Sequence, residues 1–378
     1  MNPRPCGAFV SAFPLTRRML SAARRIYQAE PPRHWQTEFF PRLKALQCNG
    51  LTRHRMRKKG LTEREIIDFF KRRFDFGPSL PLGFDEDVTA LPISDRRLVV
   101  IKTDMLVGST DIPPGMTLNQ AARKAVVATV SDFAAKGVQP KALLVSLGLI
   151  PPVTRATVRE IARGLSKGAL EYGCRIIGGD TGQSDDLVID CIGIGFGERG
   201  AILPRDGARP GDIVAVTGPF GKTKAGLRIL LSKRLRAGRF SGLVNSILHP
   251  VARLRVGLEL ARTGAVSSSI DSSDGLAWSL HEIARLSHVK IVLDNIPVAA
   301  DVEVFAREHH LSREDLALFG GEEYELVITI KRASFASVRS RVPSLLKVGS
   351  VERGRGEVVA KLGGRIRSIE PRGYEHFR

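Results

Sequence analysis

Leu98-Val99-Val100-Ile101-Lys102-Thr103-Asp104 carries four apolar, mostly β-branched residues into a lysine, a hydroxyl and an acid. A short run of this kind reads as a strand with a carboxylate near its tip. Downstream, residues 117–136 and 154–172 read as helices, Ala142-Leu143-Leu144-Val145-Ser146-Leu147 as a second strand and residues 187–196 as a longer one. Strands alternating with helices make an α/β unit. Upstream, Leu61-Thr62-Glu63-Arg64-Glu65 followed by Ile66, Ile67, Phe69 and Phe70 predicts an amphipathic helix capped by Thr62, with Glu65 completing a capping box. Pro204, Gly207, Pro210 and Gly211 crowd residues 201–212 and mark a boundary. A second α/β unit follows, with strands at 213–216, 289–293, 324–330 and 346–348 and helices at 221–232 and 275–287.

The chain has 378 residues, four scattered cysteines without CxxC spacing and a net charge of +19. Its length suits two domains. The cysteines suggest neither a disulfide framework nor a zinc site, so a reducing, cytoplasmic setting is expected. No apolar run reaches the roughly 18 residues of a membrane span. The charge is unevenly placed: residues 1–60 hold 13 Lys/Arg and 2 acids, the rest 45 and 37. The body therefore lacks the surplus of a nucleic-acid-binding stripe. Residues 1–55 are rich in proline and arginine and read as a disordered or weakly helical extension, which imitates a transit peptide. Their composition favours the alternative that Met56 opens the working chain.

Two motifs fail on context. Gly195-Phe196-Gly197-Glu198-Arg199-Gly200 matches GxGxxG, but Pro204 and Pro210 follow where a dinucleotide loop must open a helix. Gly218-Pro219-Phe220-Gly221-Lys222-Thr223 lacks the first glycine of a P-loop, leaving a structural turn or a nucleotide-adjacent loop open.

Six aspartates, Asp87, Asp104, Asp132, Asp180, Asp271 and Asp274, each close a short apolar or Gly/Ser-rich run. Any one could be a cap or turn former. Asp271 and Asp274 could cap the helix near Gly275, ligate a metal, or do both. Clustered carboxylates repel by about 4 kcal/mol per pair at 4 Å and an effective dielectric near 20. Hard oxygen ligands suit Mg²⁺, which relieves that repulsion and the repulsion between donor and acceptor phosphates. Phosphoryl transfer is the chemistry inferred.

Gly83-Phe84-Asp85-Glu86-Asp87, Lys102-Thr103-Asp104-Met105-Leu106-Val107, Val130-Ser131-Asp132-Phe133-Ala134-Ala135-Lys136-Gly137, Ile177-Gly178-Gly179-Asp180-Thr181, residues 270–276 and 318–326, and Arg372-Gly373-Tyr374 occur in an order that resembles the thiamine-monophosphate kinase family. The resemblance covers residues 61–378. That family shares its superfamily with aminoimidazole ribonucleotide synthetase, selenophosphate synthetase and a hydrogenase maturation factor. The resemblance implies that ATP phosphorylates thiamine monophosphate to thiamine diphosphate directly, with several Mg²⁺ and no covalent intermediate or catalytic side chain. It makes Asp87, Thr103, Asp104, Asp132, Asp180, Asp271 and Asp274 metal ligands. Gly179, Asp180, Arg205 and Ser273 would bind ATP, and Asp111, Glu322 and Tyr374 the thiamine substrate.

The fold implied is a two-domain α/β fold like that of aminoimidazole ribonucleotide synthetase. After a basic extension, 1–60, comes an N-terminal ATP- and Mg-binding domain, 61–200, whose sheet pairs with that of a second subunit in a homodimer. A C-terminal α/β domain, 201–378, covers the site. Four sites depart from the family: Phe84-Asp85-Glu86-Asp87 stands for its usual Gly-Asp-Asp, Lys102 for a hydroxyl ligand, Asp111 for a histidine and Glu323 for an aspartate. Rival readings are a sister ATP-dependent enzyme with another acceptor and a non-catalytic thiamine-phosphate binder. The chain ends Glu375-His376-Phe377-Arg378 without the cysteine of the hydrogenase maturation relative, and it lacks the reactive loop cysteine of selenophosphate synthetase.

Overall fold

The computed structural model describes residues 60–74, 80–232 and 234–376, so nearly all of the extension read at 1–60 lies outside the described residues. Strands β1 (Thr89–Pro92), β2 (Arg97–Val107), β3 (Pro140–Leu149), β4 (Arg175–Gln183) and β5 (Val188–Glu198) form one sheet in the order β1-β2-β5-β3-β4. A seven-stranded sheet follows, ordered β12-β11-β8-β10-β6-β9-β7, from β6 (Ile213–Val216), β7 (Val266–Asp271), β8 (Val289–Leu293), β9 (Leu326–Ile330), β10 (Leu346–Arg353), β11 (Val358–Leu362) and β12 (Arg365–Ser368). The mixed α/β class is as the sequence indicated. Most neighbours are nevertheless antiparallel, and only β3/β4 and β8/β11 run parallel.

Among the helices are α1 (Glu63–Lys71), α2 (Gly108–Asp111), α3 (Leu118–Ala135), α4 (Arg155–Glu171), α5 (Lys222–Leu231), α6 (Ser241–Leu248), α7 (Leu254–Arg262) and α8 (Leu276–Leu286). Thr62 and Glu65 form the anticipated capping box on α1. Helix α3 is the axle of the molecule. Small and branched residues, including Ala121, Ala122, Ala125, Val126, Val130 and Ala134, let it be buried almost all round. It packs against β2, β5, α4, α7 and β7. Two of these contacts are backbone against backbone: a Cβ on Gly164 would meet the Asn119 carbonyl at 2.1 Å, and one on Gly257 the Ala134 carbonyl at 2.0 Å. Any side chain at either glycine would push a helix off α3.

One apolar cluster consequently runs from Leu106 and Val145 through Val130 to Leu326 and Ile328, joining the layers of both sheets. The period of two along β2 and β5 then sets two faces on the first sheet. Lys102 and Asp104 share the inner face with buried Val100, Ile189 and Cys191; Thr103 and Met105 point outward with Asp190, Ile192, Ile194 and Phe196. Among the described residues no helix is long and apolar enough to cross a membrane.

Candidate functional site

Acids from both halves of the fold converge beside α3. Asp87 precedes β1, Asp104 lies on β2, Asp132 on α3, Asp271 ends β7, and Asp274 sits in the turn before α8. Asp87, Asp132 and Asp271 are buried, and each offers a carboxylate oxygen within 4.8 Å of the other two. Burial pushes Asp271 up to about 6 and Asp274 up to about 7, with Asp87 and Asp271 respectively adding repulsion. Asp132 is raised well above the usual carboxylate range by burial and by Asp271, Asp104 and Asp87, against the pull of Lys102. Asp104, hydrogen-bonded to Asp132, is also raised by burial, with Asp190 and Asp111 contributing. This set has more negative charge than its surroundings neutralise, and its donors are all hard oxygens. Both properties fit a divalent cation such as Mg²⁺.

Asp87 behaves differently. Burial would raise it, but Arg205 and Lys136 outweigh burial and hold it low. Lys136 Nζ lies 2.9 Å from Asp87 Oδ2 and also pairs with Glu86. Arg205 pairs with Asp87, donates to the Asp85 carbonyl at 2.7 Å, and its backbone N–H donates to Glu86 Oε1 at 2.9 Å. Asp85 itself pairs with Lys71 at 2.6 Å. Of the three consecutive acids, Asp87 alone joins the cluster. Lys102 approaches from the other side, with Nζ 3.1 Å from Asp132 Oδ2.

Two cavities flank the acids. The first is lined by Asp104, Asp111, Lys124, Asp132 and Glu322. The second is lined by Arg64, Thr103, Arg205, Trp278 and Arg285. Glu63, Lys102, Asp271, Ser273, Asp274 and Tyr374 line both and form the wall that they share. That wall is stitched through the backbone: Glu322 N–H donates to the Ser273 carbonyl at 2.6 Å, and Tyr374 N–H to the Asp274 carbonyl at 2.9 Å. Glu322 and Tyr324 have φ of 61° and 51°, a left-handed conformation that non-glycine residues adopt at a cost. In the first cavity Lys124 donates to the Asp111 carbonyl at 2.8 Å and pairs with Glu322, while Asp111 Oδ2 accepts from Val107 N–H at 2.7 Å.

Gly179 and Asp180 are placed elsewhere, on the exposed edge strand β4, and line neither cavity. Thr103 reaches the second cavity from the outer face of β2, where it donates to Asp190 at 2.7 Å. Asp190, Lys102, Lys124 and Lys136 are the polar groups here to which sequence reasoning gave no role. Alternation along β2 could have put Lys102 beside Asp104, and a spacing of four on α3 could have put Lys136 beside Asp132.

The Gly218–Thr223 question is also decided. Glu323 fills the N-terminus of α5, accepting from Gly221 N–H at 2.7 Å, Thr223 N–H at 3.1 Å and Thr223 Oγ1 at 3.0 Å. The loop is a structural turn whose anion site is taken by the protein's own carboxylate. Gly195 and Gly197 lie within β5 and open no helix.

Residues 85–197 match the family described as AIR synthase related protein, N-terminal domain. The thiamine-monophosphate kinase of Nitrosopumilus maritimus is 38% identical over 324 residues, spanning 84% of this chain and 99% of the relative. That of Pyrococcus horikoshii is 37% identical over 318 residues, covering 84% and 97%. The solved structure of AaThiL complexed with AMPPCP and TMP is similar at 27% identity and a TM-score of 0.74, over 86% of this chain and 100% of that one.

Proposed function

The chain belongs to the thiamine-monophosphate kinase family, and from that membership we propose that it phosphorylates thiamine monophosphate with ATP, yielding thiamine diphosphate by direct in-line transfer. The observation that carries this reading is the wall of Glu63, Lys102, Asp271, Ser273, Asp274 and Tyr374 that the two cavities share. A donor in one cavity and an acceptor in the other would meet across that wall, as a displacement without a covalent intermediate requires. Mg²⁺ held by Asp87, Asp104, Asp132, Asp271 and Asp274 would supply neutralisation of the phosphate charge.

The chain's own groups do the rest. Arg205 and Ser273 face the second cavity and suit the ATP phosphates. In the first, Tyr374 offers a ring to a thiazolium cation, and Glu322 and Asp111 offer oxygens to an aminopyrimidine. Lys124 holds the Glu322 carboxylate and the Asp111 backbone carbonyl at once. The buried free thiols of Cys174 and Cys191 accord with a cytoplasmic setting.

A homodimer accounts for Asp180. Strand β4 is separated from β2 by β3 and β5, so Asp180 stands about 14 Å from Thr103 in the same chain at normal strand spacing. Two residues that far apart cannot share an ion. The outer sheet face that carries Thr103 is apolar: Met105 is 59% and Phe196 47% exposed, beside half-buried Ile192 and Ile194. A second copy covering that face would bring its own Gly179 and Asp180 to this chain's Thr103.

The test is direct: purified protein is given ATP, Mg²⁺ and thiamine monophosphate, and products are separated by chromatography. Stoichiometric thiamine diphosphate and ADP are expected. ATP consumption that needs a different acceptor would move the chain to a sister activity, and binding of thiamine monophosphate without turnover would make it a sensor.

A further inference from the structure

Three cations lie against the acid cluster among the described residues, and two of them hold Asp87. The Lys136 side chain is 0% exposed and held between Glu86 and Asp87, while the Arg205 guanidinium pairs with Asp87 and donates to the Asp85 carbonyl. Lys102 differs from both. Its ammonium has one ion-pair partner among the described residues, Asp132 at 3.1 Å, and its side chain keeps 26% of its surface, at the wall that both cavities share. Asp104 projects from the same face of β2 two residues on, and Asp132 projects from α3 opposite.

We infer that Lys102 is a positioning residue that serves as a resident cation of the cluster: its ammonium, paired with Asp132, takes a place beside that carboxylate that a divalent ion would otherwise take. A hydroxyl at this position would add a ligand oxygen and remove a charge, and either change draws in a further cation. The lysine stem instead delivers a fixed positive charge to the wall between donor and acceptor. It also spares the metal-free protein part of the carboxylate repulsion.

The inference rests on the reading of the acids as a metal cluster for phosphoryl transfer, but its test counts ions and needs no substrate. Metal-free wild type, Lys102→Thr, Lys102→Met and Lys102→Arg are titrated with Mn²⁺ by calorimetry and by loss of the free-ion EPR signal, and melted in EDTA. Lys102→Thr should bind one more Mn²⁺ per chain and melt several degrees lower in EDTA, with Mn²⁺ restoring the loss. Lys102→Met, which keeps the stem, should bind the weakest ion about tenfold more tightly through charge alone. Lys102→Arg should match wild type. Unchanged ion number, Mn²⁺ affinity and EDTA stability in Lys102→Thr and Lys102→Met would overturn the inference, even in an enzyme that makes thiamine diphosphate. Wild type that binds Mn²⁺ as expected but makes no thiamine diphosphate would overturn the kinase reading and leave Lys102 in its role.

Discussion

Ser131 of α3 donates a 2.7 Å hydrogen bond to Asp271 at the end of β7, and both side chains are buried. The bond ties the helix that backs the first sheet to the edge strand of the second. It also steadies an acid that burial and Asp87 push up to about 6. Ser131→Ala should lower stability by about 1.5–3 kcal/mol, the range for a hydrogen bond to a charged group. The carboxyl should then be harder to ionise, so the Mg²⁺ concentration for half-maximal activity should rise. Thermal melts and an Mg²⁺ titration of the rate check both; an unmoved midpoint would show that the bond contributes nothing.

The acids oppose stability while they serve function. At pH 8 Asp274 is ionised although the folded protein raises its carboxyl to about 7, so the folded state bears that strain and the unfolded chain does not. Asp274→Asn and Asp132→Asn should therefore melt higher than wild type in EDTA at pH 8. Added Mg²⁺ should narrow or reverse the gap, because it stabilises wild type more. Activity should fall at least about 100-fold in each, since several kcal/mol of phosphate neutralisation depends on the cluster. A variant that loses stability in EDTA would mean that repulsion among the acids does not destabilise the metal-free fold.

The strands that sequence patterning recovered are those with branched apolar runs, and two of the five it missed, β7 and β4, fail for different reasons. Val266-Ser267-Ser268-Ser269-Ile270-Asp271 looks too polar for a buried strand. Two of its three hydroxyls are satisfied inside the fold, Ser268 by Thr329 at 2.7 Å and Ser267 by Asp212 at 2.5 Å, while the buried Ser269 hydroxyl has no hydrogen-bond partner among the described residues. Strand β4, with Gly178, Gly179 and Gly182, is exposed along its whole length and shows no alternation to read. At the site, local composition marked the acids but could not show what neutralises them. Lys136, Arg205 and Glu86 meet only because residues 119 apart in the chain are neighbours in space. The occupant of the α5 N-terminus, Glu323, lies about a hundred residues from the loop it fills, beyond the reach of any local motif.

Glu323 gives the fold a pH dependence of definite sign. Burial raises its carboxyl from 4.5 to about 7, against the hydrogen bonds from Thr223 and Gly221. The folded state thus holds a proton that the unfolded chain gives up near pH 4.5, so this group's contribution is complete below that pH and lost as pH rises through about 7. Glu323→Gln keeps the acceptor oxygen without the charge. Relative to wild type it should gain stability from pH 5 to pH 8, by up to about 3 kcal/mol in linkage terms. Urea midpoints of both proteins at the two pH values isolate the effect from the acid cluster, which titrates equally in each. A constant difference would mean that the helix N-terminus stabilises the carboxylate as well as burial destabilises it.

If Asp180 acts on the site of a second copy, two defective proteins can repair each other. Asp104→Asn disables the inner wall of its own chain's site, and Asp180→Asn disables what its chain lends to the neighbour. In a mixed dimer, one site would carry both lesions and the other none. Random reassortment of equal amounts should therefore restore about a quarter of wild-type activity, because half of the dimers are mixed and half of their sites are intact. Each variant alone should stay nearly inactive. Phe196→Asp, on the exposed outer face, should separate the copies and halve the mass measured by light scattering, and activity should fall with it. Were Asp180 to serve its own chain, every site in the mixture would keep one lesion and no activity would return. Strand spacing argues against that outcome, since β3 and β5 lie between Asp180 and Thr103 and both residues are fixed in the sheet.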